Sequence, residues 1–331
     1  MSYTINIMAK ISLIIAPLVL AGLAGVLAGE SFSKEQYFYR PPNYECPQAD
    51  SKVAKEFFDG ASVYGLPSKD NLKLAENYIL SYDRKLKHPI WVLEHLKEGQ
   101  MKLRAAKRNE SFFAEDLSLH EYFQSTNEDY FATGYDRGHM APASDNKASQ
   151  KLMDQSFCLS NIAPQLPGLN RGAWVRLETY VTHLARRSKN LYVVSGALFL
   201  PIETPDGPEV VYKVLGPNHV AVPTHFYKVL LTEDKGGNLA MEAFLMANSP
   251  ETTEEQKLST FRINVIRDLP KIERASGLIF FDKVDRTRIE RPETFKYKYN
   301  DRKIVFFKKS KKTESGGESS PEESSDGSSS E

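Results

Sequence analysis

The sequence contains little cysteine, and this scarcity excludes several kinds of site. Only Cys46 and Cys158 occur among its 331 residues, and neither lies in a CxxC or Cys/His spacing typical of zinc binding. Two cysteines do not make the disulfide framework of a small secreted domain. Cys158 lies in an apolar run, so we expect it to behave as a buried small hydrophobic residue.

The sequence also lacks a net charge, but its charges are unevenly distributed. From Thr313 to the C-terminus there are six acidic residues and no basic one, which leaves about +6 on residues 1–312. A mildly basic folded part suits an anionic partner. The hydrophobic content of 41% and charged content of 26% are typical of a soluble globular protein with a sizeable core.

No charge interrupts residues 11–29, which are just long enough to span a membrane. Three interpretations remain open for this segment: a transmembrane anchor, a secretory signal cleaved after Val26-Leu27-Ala28, or part of a mitochondrial address. The absence of arginine before Arg40 is atypical of a mitochondrial address. Pro17 and three glycines argue against a buried core helix.

Composition divides the chain into four parts. We predict a hydrophobic targeting or anchor segment at 1–29, a proline-containing linker at 30–55, a compact domain at 56–308 and a disordered acidic tail at 309–331. The tail consists mainly of Ser, Glu and Gly, and it cannot bury enough apolar surface to offset the entropy lost on ordering.

Within the compact domain the hydrophobic pattern is mixed. The pattern predicts three strands, at Leu191–Val194, His225–Leu231 and Leu278–Phe281. Apolar residues at helical spacing predict one amphipathic helix over Asn170–Ser188. Strands and helices without a regular βαβ alternation indicate an α+β fold.

The segment Asp136–Ala143 contains the most informative pair of side chains. Residues two apart in a strand point to one face, so Arg137 and His139 would face one site. A guanidinium group binds phosphate through two hydrogen bonds, and an imidazole accepts a proton near neutral pH. Gly138 between them permits a tight backbone or the close approach of a ligand. Together, Arg137 and His139 suit phosphodiester cleavage.

The predicted amphipathic helix carries a second set of polar groups. Asn170 lies at its start, where it is either a helix N-cap or an oxygen ligand for a metal ion. Glu178 follows eight residues later, and its alternative role is a salt bridge with Arg186 or Arg187. Asn161 provides another amide nearby in sequence. Mg²⁺ prefers oxygen ligands and often uses few protein groups, so these residues are candidates for a magnesium site.

These motifs resemble the DNA/RNA nonspecific endonucleases of the ββα-metal class, in particular their endonuclease-G-like mitochondrial subgroup. The resemblance spans roughly Phe57 to Asp285 and starts from the signature Asp136-Arg137-Gly138-His139. Further matching segments are Ser160–Gln165, Leu169–Arg171, Trp174–Glu178, Tyr64–Pro67, Trp91–His95, Val220–Phe226 and Glu273–Leu278. The run Met140–Lys147 is closer to exonuclease-G-type relatives, which leaves the preference for ends or internal bonds open.

The resemblance implies a role for each site residue. His139 would be the general base, Asn170 the direct ligand of one Mg²⁺ ion, and Glu178 the holder of a metal-bound water. Arg137 would steady the phosphate, and Asn161 would support the site by hydrogen bonding. The implied fold has a central antiparallel sheet with flanking helices and an active-site ribbon packed on one helix.

The expected activity is Mg²⁺-dependent, sequence-nonspecific hydrolysis of DNA and RNA. Mn²⁺ could replace Mg²⁺, and additional exonuclease activity is left open. The resemblance also implies a homodimer in the mitochondrial inner membrane or intermembrane space, with residues 11–29 contacting the membrane if they are not cleaved. The alternatives are a secreted nuclease of the same fold and an inactive, membrane-tethered nucleic-acid-binding protein.

Overall fold

The computed structural model describes residues 37–253 and 255–289, and the backbone of two strands at 295–300 and 303–308. The predicted targeting segment and acidic tail lie outside these residues. Within the described part, no helix has both the length and the apolar character needed to cross a membrane.

The elements alternate between short helices and strands. The helices are α1 Ser51–Ala61, α2 Asn127–Tyr130, α3 Gln150–Ser156, α4 Val175–Ala185, α5 Leu258–Phe261 and α6 Leu269–Ser276, with a π-helix at Leu169–Trp174. Short 3₁₀ turns occur at Gln100–Lys102, Arg108–Glu110, Glu121–Phe123, Leu159–Asn161 and Arg286–Arg288. The strands are β1 Leu72–Leu74, β2 Tyr78–Asp83, β3 His88–Leu96, β4 Asp136–His139, β5 Ile162–Gln165, β6 Asn190–Leu198, β7 Ile202–Thr204, β8 Gly207–Glu209, β9 Val214–Leu215, β10 Val220–Ala221, β11 His225–Glu233, β12 Leu239–Ala247, β13 Arg262–Ile263, β14 Phe295–Asn300 and β15 Lys303–Lys308.

A seven-stranded sheet forms the centre of the molecule, in the order β1-β2-β3-β6-β11-β12-β13. Every neighbouring pair in this sheet is antiparallel. Helices flank it, which confirms the predicted α+β class with a central antiparallel sheet. The predicted strands at Leu191–Val194 and His225–Leu231 are the buried centres of β6 and β11.

Both faces of the sheet are covered, because its central strands are apolar on both sides. In β6, Leu191 and Val193 join the core on one face, while Tyr192 and Val194 join the core on the other. The first core contains α4, and the second contains parts of α1 and α6. The site-bearing elements all lie on the α4 side.

The predicted strand at Leu278–Phe281 is wrong. This segment is a loop after α6, in which Leu278 and Phe280 are buried but Ile279 is 53% exposed. Phe281 has a positive φ of 53°, which is incompatible with a strand. Four apolar residues in a row therefore reflect separate packing contacts of a loop and not a ladder.

The two cysteines form a disulfide, Cys46–Cys158, with a Cα–Cα distance of 5.3 Å. Cys158 is buried as expected, but the expectation that it is only a small hydrophobic residue is wrong. The bond joins positions 112 residues apart, so local sequence gave no indication of it. It attaches residues 37–50, which the sequence placed in a linker, to the main body of the protein.

Candidate active site

The Asp136–His139 motif forms one strand of a separate two-stranded ribbon. β4 pairs antiparallel with β5, with Gly138 opposite Ala163 and His139 opposite Ile162. Gly138 is needed for close packing, because a Cβ atom there would collide with the side chain of Gln165. The close approach that this glycine permits is therefore made by Gln165.

Strand alternation places Arg137 and His139 on one face of this ribbon, where both contact Phe113. The Cζ atom of Arg137 lies 4.2 Å from the Phe113 ring centroid, and the His139 ring lies 5.3 Å from it. Arg137 also donates a hydrogen bond from Nη1 to Oδ1 of Asn127. The ribbon thus presents an imidazole and a fixed guanidinium group to the same region.

His139 is only 8% exposed, and the ring of Phe157 packs edge-on against it at 4.7 Å. Its Nε2 atom is buried and makes no hydrogen bond to any described residue. Burial, followed by the positive charges of Arg108 and Arg137, holds the pKa of His139 well below its usual range. The ring is therefore neutral near pH 7, which is the form that accepts a proton.

Asn170 lies within the π-helix that precedes α4. Its own N–H donates to the carbonyl of Leu166 at 2.9 Å, so it is already inside the helical hydrogen-bond pattern and does not act as an N-cap. The prediction of one continuous α-helix from Asn170 to Ser188 is wrong in its bounds. Asn170 lies in the π-helix, and the regular α-helix covers only Val175–Ala185. Short π-helical turns inside helices frequently mark functional sites.

Asp136 holds Asn170 against the ribbon. Nδ2 of Asn170 donates to Oδ2 of Asp136 at 2.9 Å, and Arg171 donates to both oxygens of the same carboxylate at 2.9 and 2.6 Å. Because the amide nitrogen faces Asp136, the amide oxygen points away from it. That oxygen is available as a ligand for a hard cation.

Glu178 lies on α4 and is only partly exposed as a residue, while its carboxyl group is enclosed. Burial raises its pKa to about 7; the positive charges of Lys228 and Arg108 oppose this rise, and the negative charge of Asp145 adds to it. A buried carboxyl group with a raised pKa gains stability from a nearby cation. This observation, with the free amide oxygen of Asn170, makes the residues compatible with one divalent metal ion.

Asn161 is fully buried and holds the loop that follows the histidine. Its Oδ1 accepts from the N–H of Ala141 at 2.9 Å, and its Nδ2 donates to the carbonyls of Ala141 and Ser156 at 2.9 and 2.8 Å. The side chain does not reach the ribbon's open face. It connects the chain on both sides of the site.

Two further residues contribute to the site and were missed from the sequence. Arg108 lies at the start of a 3₁₀ turn with Cζ 5.1 Å from the Phe157 ring centroid, and its charge acts on both His139 and Glu178. With 43 lysines and arginines in the chain, sequence alone did not distinguish it. Lys228 was detectable from the sequence, because it lies two residues after Phe226 in a predicted strand and therefore on the same, core-facing side.

Lys228 is 1% exposed and lies beneath the site. Its Nζ donates to Ser195 and, at 3.4 Å, to the carbonyl of Met140, the residue after His139. It also lies 4.7 Å from the ring centroid of Trp174. Among the described residues, no three His, Cys, Asp or Glu side chains form a metal-chelating group. A metal ion here would use few direct protein ligands.

A ribbon that carries the histidine, followed by a helix that carries the asparagine, is the arrangement of the ββα-metal nucleases. Comparison with known proteins leads to the same class. Residues 60–287 match the model of the DNA/RNA non-specific endonuclease family. The chain belongs to this family, and it is an enzyme of the nuclease class.

Named relatives support this membership. The chain is 45% identical over 218 residues to human "Endonuclease G, mitochondrial", covering 66% of this chain and 71% of that protein. It is 40% identical to "Nuclease EXOG, mitochondrial" of Xenopus laevis, covering 72% and 66%. It is 35% identical to the "Mitochondrial nuclease" of Saccharomyces cerevisiae, covering 81% and 86%.

A solved structure is also similar. The chain matches one chain of a structure described as the crystal structure of the EndoG/EndoGI complex, with a TM-score of 0.67 and 40% identity. The match covers 71% of this chain and 95% of that chain. This family is metal-dependent.

Proposed function

We propose that this protein is a Mg²⁺-dependent, sequence-nonspecific nuclease that hydrolyses phosphodiester bonds in DNA and RNA, with His139 as the general base. The observation that carries the proposal is the state of His139: a neutral, buried imidazole whose Nε2 atom has no partner among the described residues and which lies near two guanidinium groups. This combination places a proton acceptor beside groups that bind phosphate.

Each residue then has a distinct task. His139 takes the proton of the attacking water, a role worth about 10²- to 10⁴-fold in rate. Arg137 and Arg108 bind the phosphate and the charge that develops on it. Asn170 would hold Mg²⁺, or Mn²⁺ in its place, through its amide oxygen, while Glu178 orients a water molecule and Asn161 keeps the loop in place. When bound, the metal ion neutralises charge on the phosphate and the leaving oxygen.

Low sequence specificity follows from these contacts. The proposed groups bind phosphate, and phosphate contacts carry no direct information about the base sequence. Both DNA and RNA are substrates, because the nucleophile is water and not the 2′-hydroxyl group. We further propose that internal bonds are cut, with cleavage from ends as an additional activity.

The cell compartment and assembly are also proposals. The printed names of the relatives favour a mitochondrial location, at the inner membrane or in the intermembrane space, and a homodimer is proposed with it. The Cys46–Cys158 disulfide favours a compartment outside the reducing cytosol, and this observation also suits a secreted enzyme. Imaging a fusion that carries residues 1–55 distinguishes these locations.

The test of the reaction uses three variants of the full-length chain. We expect His139→Ala to lower Mg²⁺-dependent plasmid cleavage by about 100-fold or more while DNA binding in a gel-shift assay persists. The matched control is His120→Ala, which changes an exposed histidine. We expect Asn170→Ala to raise the Mg²⁺ concentration needed for half-maximal activity. Near-normal turnover by the first variant, or an unchanged Mg²⁺ titration by the second, would contradict the assignment.

A further inference from the structure

Residues 37–49, which we call the strap, precede α1 and pack along the segment 112–115. The guanidinium group of Arg40 forms an ion pair with Glu115. The hydroxyl of Tyr44 accepts a hydrogen bond from the N–H of Phe112 at 3.1 Å, and the two rings pack edge-on at 5.3 Å. The neighbouring Phe113 is the ring that contacts both Arg137 and His139.

The strap is also attached covalently next to the candidate site. Cys46 is bonded to Cys158, and Cys158 directly follows Phe157, whose ring packs on His139. Cys158 forms a β-bridge with Ala114, in the segment against which the strap packs. The disulfide therefore joins the strap to the backbone that positions the aromatic wall of the site.

Tyr37, the first described residue of the strap, packs against Arg137 of the candidate site. The ring centroid of Tyr37 is 4.1 Å from Cζ of Arg137, and that of Phe113 is 4.2 Å from the same atom. Phe131 packs edge-on against Tyr37 at 5.2 Å and supports its ring. Arg137 is thus in contact with two aromatic rings, that of Phe113 beside the ribbon and that of Tyr37 in the strap.

We propose that Tyr37 is a positioning residue that fixes the guanidinium plane of Arg137 for phosphate binding, and that the disulfide keeps it there. A long arginine side chain has many rotamers, and contact with aromatic rings limits them while leaving the N–H groups at the edge free to donate. One of these groups donates to Asn127, which fixes the remaining rotation. The inference rests on the proposed role of Arg137.

The same arrangement makes activity sensitive to thiols. A dithiol reductant gives two electrons and two protons to the Cys46–Cys158 bond; two protein thiols form, and the reductant becomes a disulfide. The strap then stays in place only through its non-covalent contacts. Reduction should therefore lower activity through Tyr37 without unfolding the sheet.

The first test compares kcat and KM for plasmid cleavage by variants of the full-length chain. We expect Tyr37→Ala to lower kcat by roughly 3- to 30-fold with little change in KM, because Arg108 still binds the ground-state phosphate while a less well oriented Arg137 loses contact with the charge that develops on it. Tyr37→Phe keeps the ring and should restore kcat. Tyr122→Ala is the matched control, because Tyr122 is 72% exposed and lies outside the strap. A Phe variant as impaired as the Ala variant overturns the proposal.

A double-mutant cycle separates this inference from the proposed function. If Tyr37 acts through Arg137, then Tyr37→Ala causes no further loss in an Arg137→Ala background. Equal losses in both backgrounds overturn the positioning role. If Arg137→Ala alone keeps wild-type activity, the proposed role of Arg137 fails instead. If Arg137→Ala is impaired and Tyr37→Ala is not, only the inference about the strap fails.

The redox test measures activity before and after treatment with a dithiol, with free thiols counted and circular dichroism used to confirm the fold. We expect reduction to lower kcat by the same 3- to 30-fold range in the wild type and to have no further effect on Tyr37→Ala. Cys46→Ser, which cannot form the bond, should resemble the reduced enzyme. Equal kcat for the folded oxidised and reduced forms overturns the role of the disulfide.

Discussion

Asn161→Ala offers a stringent test of how the site is held together. The side chain is fully buried and makes three hydrogen bonds of 2.8–2.9 Å to the backbone of Ala141 and Ser156. Truncation removes the partner of one N–H group and two carbonyl groups in a place that is closed to solvent. Each unsatisfied buried group costs about 1–3 kcal/mol, so the loss is roughly 3–9 kcal/mol, with the lower end applying where water enters the cavity.

A loss of that size is a large share of the typical unfolding free energy of about 5–15 kcal/mol. With a urea m-value of about 3 kcal/mol/M, the midpoint should fall by about 1 M or more. The assay is urea unfolding followed by tryptophan fluorescence, with plasmid cleavage measured on the still-folded variant. Because the loop after His139 loses its support, cleavage should fall as well.

Two further variants make this result specific. Asn161→Asp keeps an oxygen that accepts from the N–H of Ala141, but its second oxygen faces the carbonyls of Ala141 and Ser156 and repels them. The urea midpoint of Asn161→Asp should therefore be no higher than that of Asn161→Ala. Asn238→Ala, which removes an exposed amide that donates to Asp234, should leave the midpoint nearly unchanged. An Asn161→Ala midpoint within about 0.2 M of the wild type would refute the reasoning.

Four other predictions concern the charged groups of the site. Because a base works only when neutral and burial holds the pKa of His139 low, the acid limb of kcat/KM that belongs to His139 should lie below pH 6.5; it is measured in Glu178→Gln, which removes the carboxyl group whose pKa is about 7, and a limb centred at pH 6.5 or above in that variant contradicts this. The unfolded chain binds that proton more readily, so His139 contributes stability that is lost as pH falls below about 6.5; the difference in urea midpoint between the wild type and His139→Ala should therefore shrink from pH 7 to pH 5. Arg108→Ala should lower cleavage and move the acid limb to higher pH, since its charge depresses this pKa; an unmoved limb would count against the contact. Lys228→Met should destabilise the fold by about 1–3 kcal/mol in urea unfolding, because the buried hydroxyl of Ser195 and carbonyl of Met140 lose a hydrogen-bond donor; an unchanged midpoint would show that these bonds are not needed.

Patterns of short range predicted much of this fold. An apolar run identified the centre of β6, alternation identified the centre of β11, and the spacing of Arg137 and His139 placed both on one face of a strand. The same approach failed where neighbours distant in sequence decide the structure. The run Leu278–Phe281 is apolar because separate elements bury its residues, and the Cys46–Cys158 bond depends on the folded path of 112 residues.

The candidate site shows the same division. The motif residues were identifiable because several chemically suited side chains lie close together in sequence. Arg108 acts on His139 across the fold, and no local pattern distinguishes it from other basic residues. Asn170 was predicted from its place before an amphipathic helix, whereas its hydrogen bond to Asp136, 34 residues earlier, has no local sequence signal.

The ribbon that carries His139 is not hydrogen-bonded into the seven-stranded sheet. Its own backbone ladder has only four residue pairs, and side chains attach it to the rest of the fold, among them Met140 and Ala163 in the core, while the sheet has nine-residue strands paired on both sides. Partial opening of the ribbon consequently requires less free energy than global unfolding. We therefore expect heat or denaturant to inactivate the enzyme in molecules whose central sheet is still folded. The inactivation temperature should then be lower than the melting temperature of the fold.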